Sequence, residues 1–253
     1  MAGMGAGYDL SVATISPDGR VFQVEYATKA VDNAGAALGL VCKDGIALGV
    51  EKSRLHKMLV PGTCRRLMAV DKHVGIAVTG LISDGRQIVK RARSEAESFR
   101  KTYGEPIPPQ ILAERIGLFV HTFTLYWSVR PFGASVLIAG LGSEGISTSG
   151  ELYCVEPSGT AYKYFGMAIG KGKQLAKTEL EKLNLSEMSC HDALFHLDRI
   201  IRQIHDETKD KNLEIELSMI SPESNLLYQL VPQKTFEEAD ARAIEYLQAL
   251  EEE

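Results

Sequence analysis

Side chains able to hydrolyse, ligate a metal or hold a phosphate are thinly spread along these 253 residues. A serine hydrolase elbow needs Gly-x-Ser-x-Gly, and that pattern is absent. The histidines His56, His73, His121, His191, His196 and His205 never stand four apart, the spacing that turns two imidazoles toward one metal, so packed or surface roles are expected. Cys42, Cys64, Cys154 and Cys190 lie far apart with no C-x2-C pair, which argues against zinc. The run Gly166-Met167-Ala168-Ile169-Gly170-Lys171-Gly172 comes close to a phosphate loop, but its first gap is one residue short and no Ser or Thr follows the lysine. Tight helix–sheet packing accounts for it better, and neither a cofactor nor a metal is expected.

The most informative stretch stands near the start: Tyr8-Asp9-Leu10, then Ser16-Pro17-Asp18-Gly19-Arg20, then Gln23-Val24-Glu25-Tyr26-Ala27. It joins a short extended arm to the start of a helix. Pro17 suits a first helical turn, where its missing N–H would be unpaired anyway, and Ser16 before it can cap. Val21, Val24, Ala27 or Thr28, and Val31 recur at three to four residues, so the helix predicted over 16–33 has one apolar face.

After Gly35 the period becomes two. Ala36, Leu38, Leu40 and Cys42 alternate, Lys43-Asp44-Gly45 turns the chain, and Ile46, Leu48 and Val50 alternate again, which predicts a hairpin. A second strand pair is expected over 66–70 and 74–79 around Asp71-Lys72-His73. Ile88, Ala92, Ala96, Phe99 and Tyr103 mark a helix that Gly104 and Pro106 stop. Pro108-Pro109 opens another, with Leu112, Ile116, Phe119, Val120 and Phe123 on its face. Strands follow over 133–141, 150–156 and 160–165, then helices over 170–183 and from Ser189, where Asp192 completes a capping box. A strand over 213–220 and a closing helix over 236–250 end the pattern. Strands in hairpins with helices in pairs predict a layered α+β fold.

The opening block resembles the start of a proteasome core-particle alpha-type subunit. Gly80-Leu81-Ile82-Ser83-Asp84-Gly85-Arg86 and Ser128-Val129-Arg130-Pro131-Phe132-Gly133 extend the resemblance, which runs from about Gly5 to at least Leu217. It implies the four-layer αββα sandwich of amino-terminal-nucleophile hydrolases, in a single domain over 1–253: a gating arm over 1–15, the N-terminal helix over 16–33, the sandwich over 34–233, and a C-terminal helix with acidic end over 234–253.

Active members of that fold attack with the hydroxyl of a processed first residue, its free amine accepting the proton. Aligned with them, the nucleophile position falls at about Gly35, which has no side chain. Their supporting acid and lysine fall near Glu51 and Arg66, and a guanidinium stays protonated. The resemblance therefore implies a chain with no catalytic residues. The alternative, an active threonine- or serine-type hydrolase matured by propeptide cleavage, needs a new terminus, and Thr14 and Thr28 both precede the first strand. A stand-alone adaptor is a third reading.

What the resemblance does imply is interaction chemistry. Tyr8, Asp9, Pro17 and Tyr26 match the cluster that holds a gate open where seven alpha-type arms meet. Physically, Asp9 and the two phenols can make charge-assisted hydrogen bonds with a neighbour while Pro17 fixes the turn beneath them, and Gly3, Gly5 and Gly7 keep the tail mobile. Tyr126, Trp127, Ser128 and Val129 fall on the turn lining the channel below, although a lone tryptophan fits core packing by default. Arg66 and Leu81 fall at the pocket that receives an activator's carboxyl terminus, where many relatives carry lysine instead of arginine. Implied partners are other alpha-type chains in a seven-membered ring, beta-type subunits met through 103–110, and regulatory-particle ATPases or other activators.

Composition agrees with this picture. Apolar residues make up 45%, enough for a substantial core, and a net charge of −5 offers no attraction for nucleic acid. Lys90-Arg91-Ala92-Arg93 is read as a solvated helix face, with nuclear import or an acidic partner as the alternative, and Glu251-Glu252-Glu253 as a solvated end. No secretory signal or run of about 18 apolar residues is seen, so no membrane association, free thiols and a place in the cytoplasm and nucleus are expected.

Overall fold

Two antiparallel sheets grow from the alternating segments, and their central strands are buried on both faces. The computed structural model describes residues 7–53, 58–60, 62–142, 150–205 and 213–251; Gly3, Gly5, His56, Glu252 and Glu253 lie outside them. β1 (Ala37–Cys42) and β2 (Gly45–Ser53) form the expected hairpin, with Gly39 opposite Leu48. The next hairpin, β3 (Leu67–Asp71) and β4 (Val74–Gly80), starts a second sheet that β5 (Ala134–Leu141), β6 (Gly150–Val155) and β7 (Ala161–Tyr164) complete in chain order. The first sheet is completed by β8 (Gly166–Ile169) against β1 and by β9 (Leu213–Ile220) against β2, with the short β10 (Gln229–Leu230) at its edge.

Between the sheets, Ile46, Leu48 and Val50 of β2 pack in one cluster with Leu137 and Ala139 of β5 and Leu152 of β6. Outside the second sheet, α2 (Ile82–Tyr103) and α3 (Pro109–Thr122) bring Ile88, Ala92, Leu112 and Ile116 onto Val74, Ile76 and Val136. Outside the first, α4 (Lys173–Glu181), α5 (Cys190–Ile204) and α6 (Gln233–Glu251) bring Ala176, Leu197, Ile201 and Ala239 onto Leu38, Leu40 and Leu217. The layers are α, β, β, α, the sandwich that the resemblance implies. Burial on both faces explains why β1 and β4 contain almost no exposed position, since every side chain meets either a helix layer or the other sheet. Each fully buried Leu or Ile contributes roughly 2 kcal/mol of apolar transfer.

Local signals behave as their chemistry requires at several ends. α2 stops where Gly104 adopts φ 77°, and the Ser189 side chain accepts the Asp192 N–H at the start of α5. The first helix departs from expectation: α1 spans Phe22–Asp32, not 16–33. Ser16 is engaged in a reverse turn instead, its carbonyl accepting from Gly19 N–H at 2.9 Å and its hydroxyl from Arg20 N–H at 3.1 Å. Pro17 therefore sits in that turn, and extended Val21 precedes the helix without a side-chain cap. The glycine-rich 166–172 run is also more than packing, because its first four residues form β8 and α4 begins only at Lys173.

Candidate functional site

The arm is held against α1 by very few groups. Val12 is buried, and with Ile15, Val21, Val24 and Leu125 it lines a groove of about 510 Å3 that reaches His121 on α3. Ahead of it, the Tyr26 hydroxyl donates to Asp9 Oδ2 at 3.3 Å, and Gln23 Nε2 donates to the Asp9 carbonyl. Partial burial and then the Asp9 charge push the Tyr26 phenol up, which keeps it protonated and able to donate. Arg20 grips Glu25 through two parallel hydrogen bonds, Nε to Oε1 at 2.6 Å, and holds that carboxyl below its usual range. Of the residues predicted to cluster, Asp9 and Tyr26 meet; Tyr8 is exposed and makes no hydrogen bond among the described residues, and Pro17 is exposed in its turn. Gln23 has no role in the expected cluster, although its position one helical turn before Tyr26 puts both side chains on the face toward the arm.

Beyond α1 lies Gly35, which the sequence reading sets against the nucleophile position of active members of the fold. Gly35 is internal to the chain there, and a Cβ on it would stand 2.7 Å from the Glu51 carbonyl. Thr79 Oγ1 donates to the Gly35 carbonyl, while Glu51 Oε2 accepts the Ala36 N–H at 2.9 Å and its Oε1 lies 2.7 Å from His205 Nδ1. Glu51 thus stands beside Gly35, committed to the backbone and to a histidine. Arg66 turns elsewhere: its Nη1 donates to the Val78 and Gly80 carbonyls at 3.4 and 3.2 Å, and burial lowers its pKa below the ordinary value. Leu81, nearly half exposed, follows Gly80 directly, so Arg66 and Leu81 do flank one corner of the second sheet.

Two of the motif blocks converge on Asp84 at the start of α2. Its carboxylate accepts Arg130 Nη1 and Nη2 at 2.6 and 2.9 Å, and Gly133 N–H at 2.9 Å. The Arg130 guanidinium holds the Asp84 carboxyl below the usual range. This clamp fixes the base of the turn that carries Tyr126, Trp127, Ser128 and Val129. Trp127 is 83% exposed, which overturns the default of core packing. Cys42, Cys64, Cys154 and Cys190 are free thiols, and among the described residues no group of three or more His, Cys, Asp or Glu side chains could hold a metal ion. No helix among them is long and apolar enough to cross a membrane.

The arm and α1 coincide with one known signature and the sandwich with another. A proteasome subunit model matches residues 31–220, and the N-terminal signature of A-type proteasome subunits matches residues 8–30. The chain belongs to the proteasome subunit family. It is 53% identical to the alpha type-3 proteasome subunit of Spinacia oleracea over 251 residues, 99% of each chain, and 50% identical to that of Dictyostelium discoideum over 98% of each. The probable alpha type-7 proteasome subunit of Saccharomyces cerevisiae is 44% identical over 94% of this chain and 83% of its own. The chain is therefore an alpha-type subunit of the proteasome core particle, a component of the machinery of protein degradation. Its N-terminal signature supports the alpha-ring role over an active hydrolase matured by cleavage.

Proposed function

We propose that this subunit is catalytically silent and serves its particle by assembly, by docking of regulators and by gating substrate admission. The observation that carries the silent reading is the Gly35 corner, where no nucleophile exists and the Glu51 carbonyl occupies the approach that a side chain would take. Cleavage ahead of Gly35 would remove α1 without exposing a hydroxyl or thiol.

In this reading the chain is one domain over 1–253, its arm over 1–15 leading into the sandwich. It takes one place in a seven-membered alpha ring, seats a beta ring through the α2–α3 connection near Tyr103, and works in the cytoplasm and nucleus. Tyr8, Asp9, Pro17 and Tyr26 govern the gate, with the Asp9–Tyr26 bond supporting the cluster and exposed Tyr8 left available to a neighbour. Exposed Tyr126 and Trp127 with Ser128 and Val129 line the channel, a role that fits aromatic side chains with no core to fill. Arg66 and Leu81 receive activator tails; Arg66 would use the guanidinium N–H groups that Val78 and Gly80 leave free.

The test is native mass spectrometry of the particle isolated through this chain, with the intact subunit mass and a fluorogenic peptide assay before and after deletion of residues 1–9. An unprocessed subunit in a 28-chain particle, with peptidase activity rising on deletion, is the expected result. A subunit trimmed to a new Thr or Ser terminus and active alone would overturn it.

A further inference from the structure

We infer that Gln23 is a positioning residue for the arm: it pins the main chain at Asp9 against α1. This inference rests on the gating reading for its consequence, although not for its geometry. Among the described residues, 7–10 are held by two hydrogen bonds alone, Gln23 Nε2 to the Asp9 carbonyl and Tyr26 hydroxyl to the Asp9 carboxylate. The two differ in kind. Tyr26 grips a side chain that can rotate away while the backbone stays put or moves; Gln23 grips the backbone itself.

The chemistry leaves one assignment for the Gln23 amide. A carbonyl oxygen cannot accept from another carbonyl oxygen, so the NH2 group must face Asp9. Gln23 is half-buried on α1, one turn ahead of Tyr26, so a rigid helix presents both donors in register. On the other side of Asp9, exposed Leu10 is followed by buried Val12. The described arm is therefore held at two points, Asp9 and Val12. The charged and titratable groups facing this point are Asp9 on the arm and Arg20, Glu25 and Tyr26 at the start of α1, with Arg20 and Glu25 already engaged with each other.

The experiment uses the assembled particle carrying Gln23→Met, Gln23→Glu or Gln23→Lys, and it reads the initial rate of chymotrypsin cleavage after Tyr8 and Leu10, both exposed, by intact subunit mass at pH 8. Gln23→Met keeps length and loses the donor, so cleavage should quicken about fivefold, the scale of one lost hydrogen bond. Gln23→Glu keeps the shape but, ionised, cannot donate, so it should match Gln23→Met. Gln23→Lys restores an N–H donor and should stay near wild type. A merely packing role for Gln23 would leave Gln23→Glu at wild type. Unchanged cleavage in Gln23→Met and Gln23→Glu, or equal acceleration in all three variants, would overturn the inference. Peptidase activity separates it from the gating reading: if the variants loosen the arm as stated while neither they nor deletion of 1–9 alter peptide cleavage, the pin stands and the gate does not.

Discussion

The Gly35 corner and the N-terminal arm are separated only by α1, and they are built on opposite terms. Around Gly35 every direction is taken: Thr79 holds its carbonyl, Glu51 holds the next N–H, and His205 holds Glu51. In the arm, Asp9 is held at two atoms and the side chains on either side of it, Tyr8 and Leu10, face solvent. Together the two regions show where this fold can place a moving part. A corner knitted into two sheets opens only with the sandwich, whereas a segment with few partners can change position at low cost. Gly35 lies in the closed corner, and the described part of the arm lies outside it.

The hardest blow to this contrast is Gly35→Thr, which places a hydroxyl where a nucleophile would stand. Its Cβ meets the Glu51 carbonyl at 2.7 Å, so the expected outcome is destabilisation by about 3 kcal/mol, seen as a lower melting temperature or failed assembly, with no peptidase gained. A stable particle with new activity would mean the corner is not sealed. Glu51→Ala comes next. It strands the buried Ala36 N–H and removes the Glu51 carboxylate from His205, and should cost about 2 kcal/mol in thermal unfolding of the particle.

Asp84→Ala supplies an intermediate case, because the clamp joins buried Gly133 N–H to a mostly exposed Arg130. A loss of about 1.5 kcal/mol at neutral pH is expected. Its pH dependence has a definite sign. The folded carboxyl titrates below its unfolded value, so the stabilisation is present above the ordinary aspartate pKa and disappears as pH falls through the depressed one. Acid unfolding curves of wild type and Asp84→Ala should therefore converge at the acid end; a gap that persists there would assign the loss to packing. The smallest effect is Tyr26→Phe, within about 0.5 kcal/mol in stability because the phenol is half exposed. Its consequence should appear in peptidase latency instead, and a large melting shift would show that the arm is part of the core after all.

Much of the architecture was legible because it is local. Period-two alternation located the hairpin from Ala37 to Ser53, glycine ended α2, and Ser189 with Asp192 opened α5. Other features misled for physical reasons. Ser16-Pro17 fits a helix start and a reverse turn equally well, and the carbonyl of Arg20, which accepts from Ser16 N–H at 2.9 Å, decides for the turn. β8 has only two residues per face, too few for a period, and is a strand because β1 pairs with it. Trp127 looked like core by residue type, yet its turn projects from the base fixed by Asp84.

By itself the sequence determined most of the strand and helix pattern, the family signature of the first thirty residues, and that position 35 carries no side chain. These depend on side-chain type and short spacing, which the chain carries before it folds. Only the tertiary structure decided that Asp84 closes on Arg130 across 46 residues, that Glu51 is shared by Ala36 and His205, that Arg66 bonds the sheet's own carbonyls, and that Gln23 reaches the Asp9 backbone. Such meetings are set by sheet register and by how α1 and α2 seat on the strands, and no local propensity encodes a distance between segments so far apart in the chain.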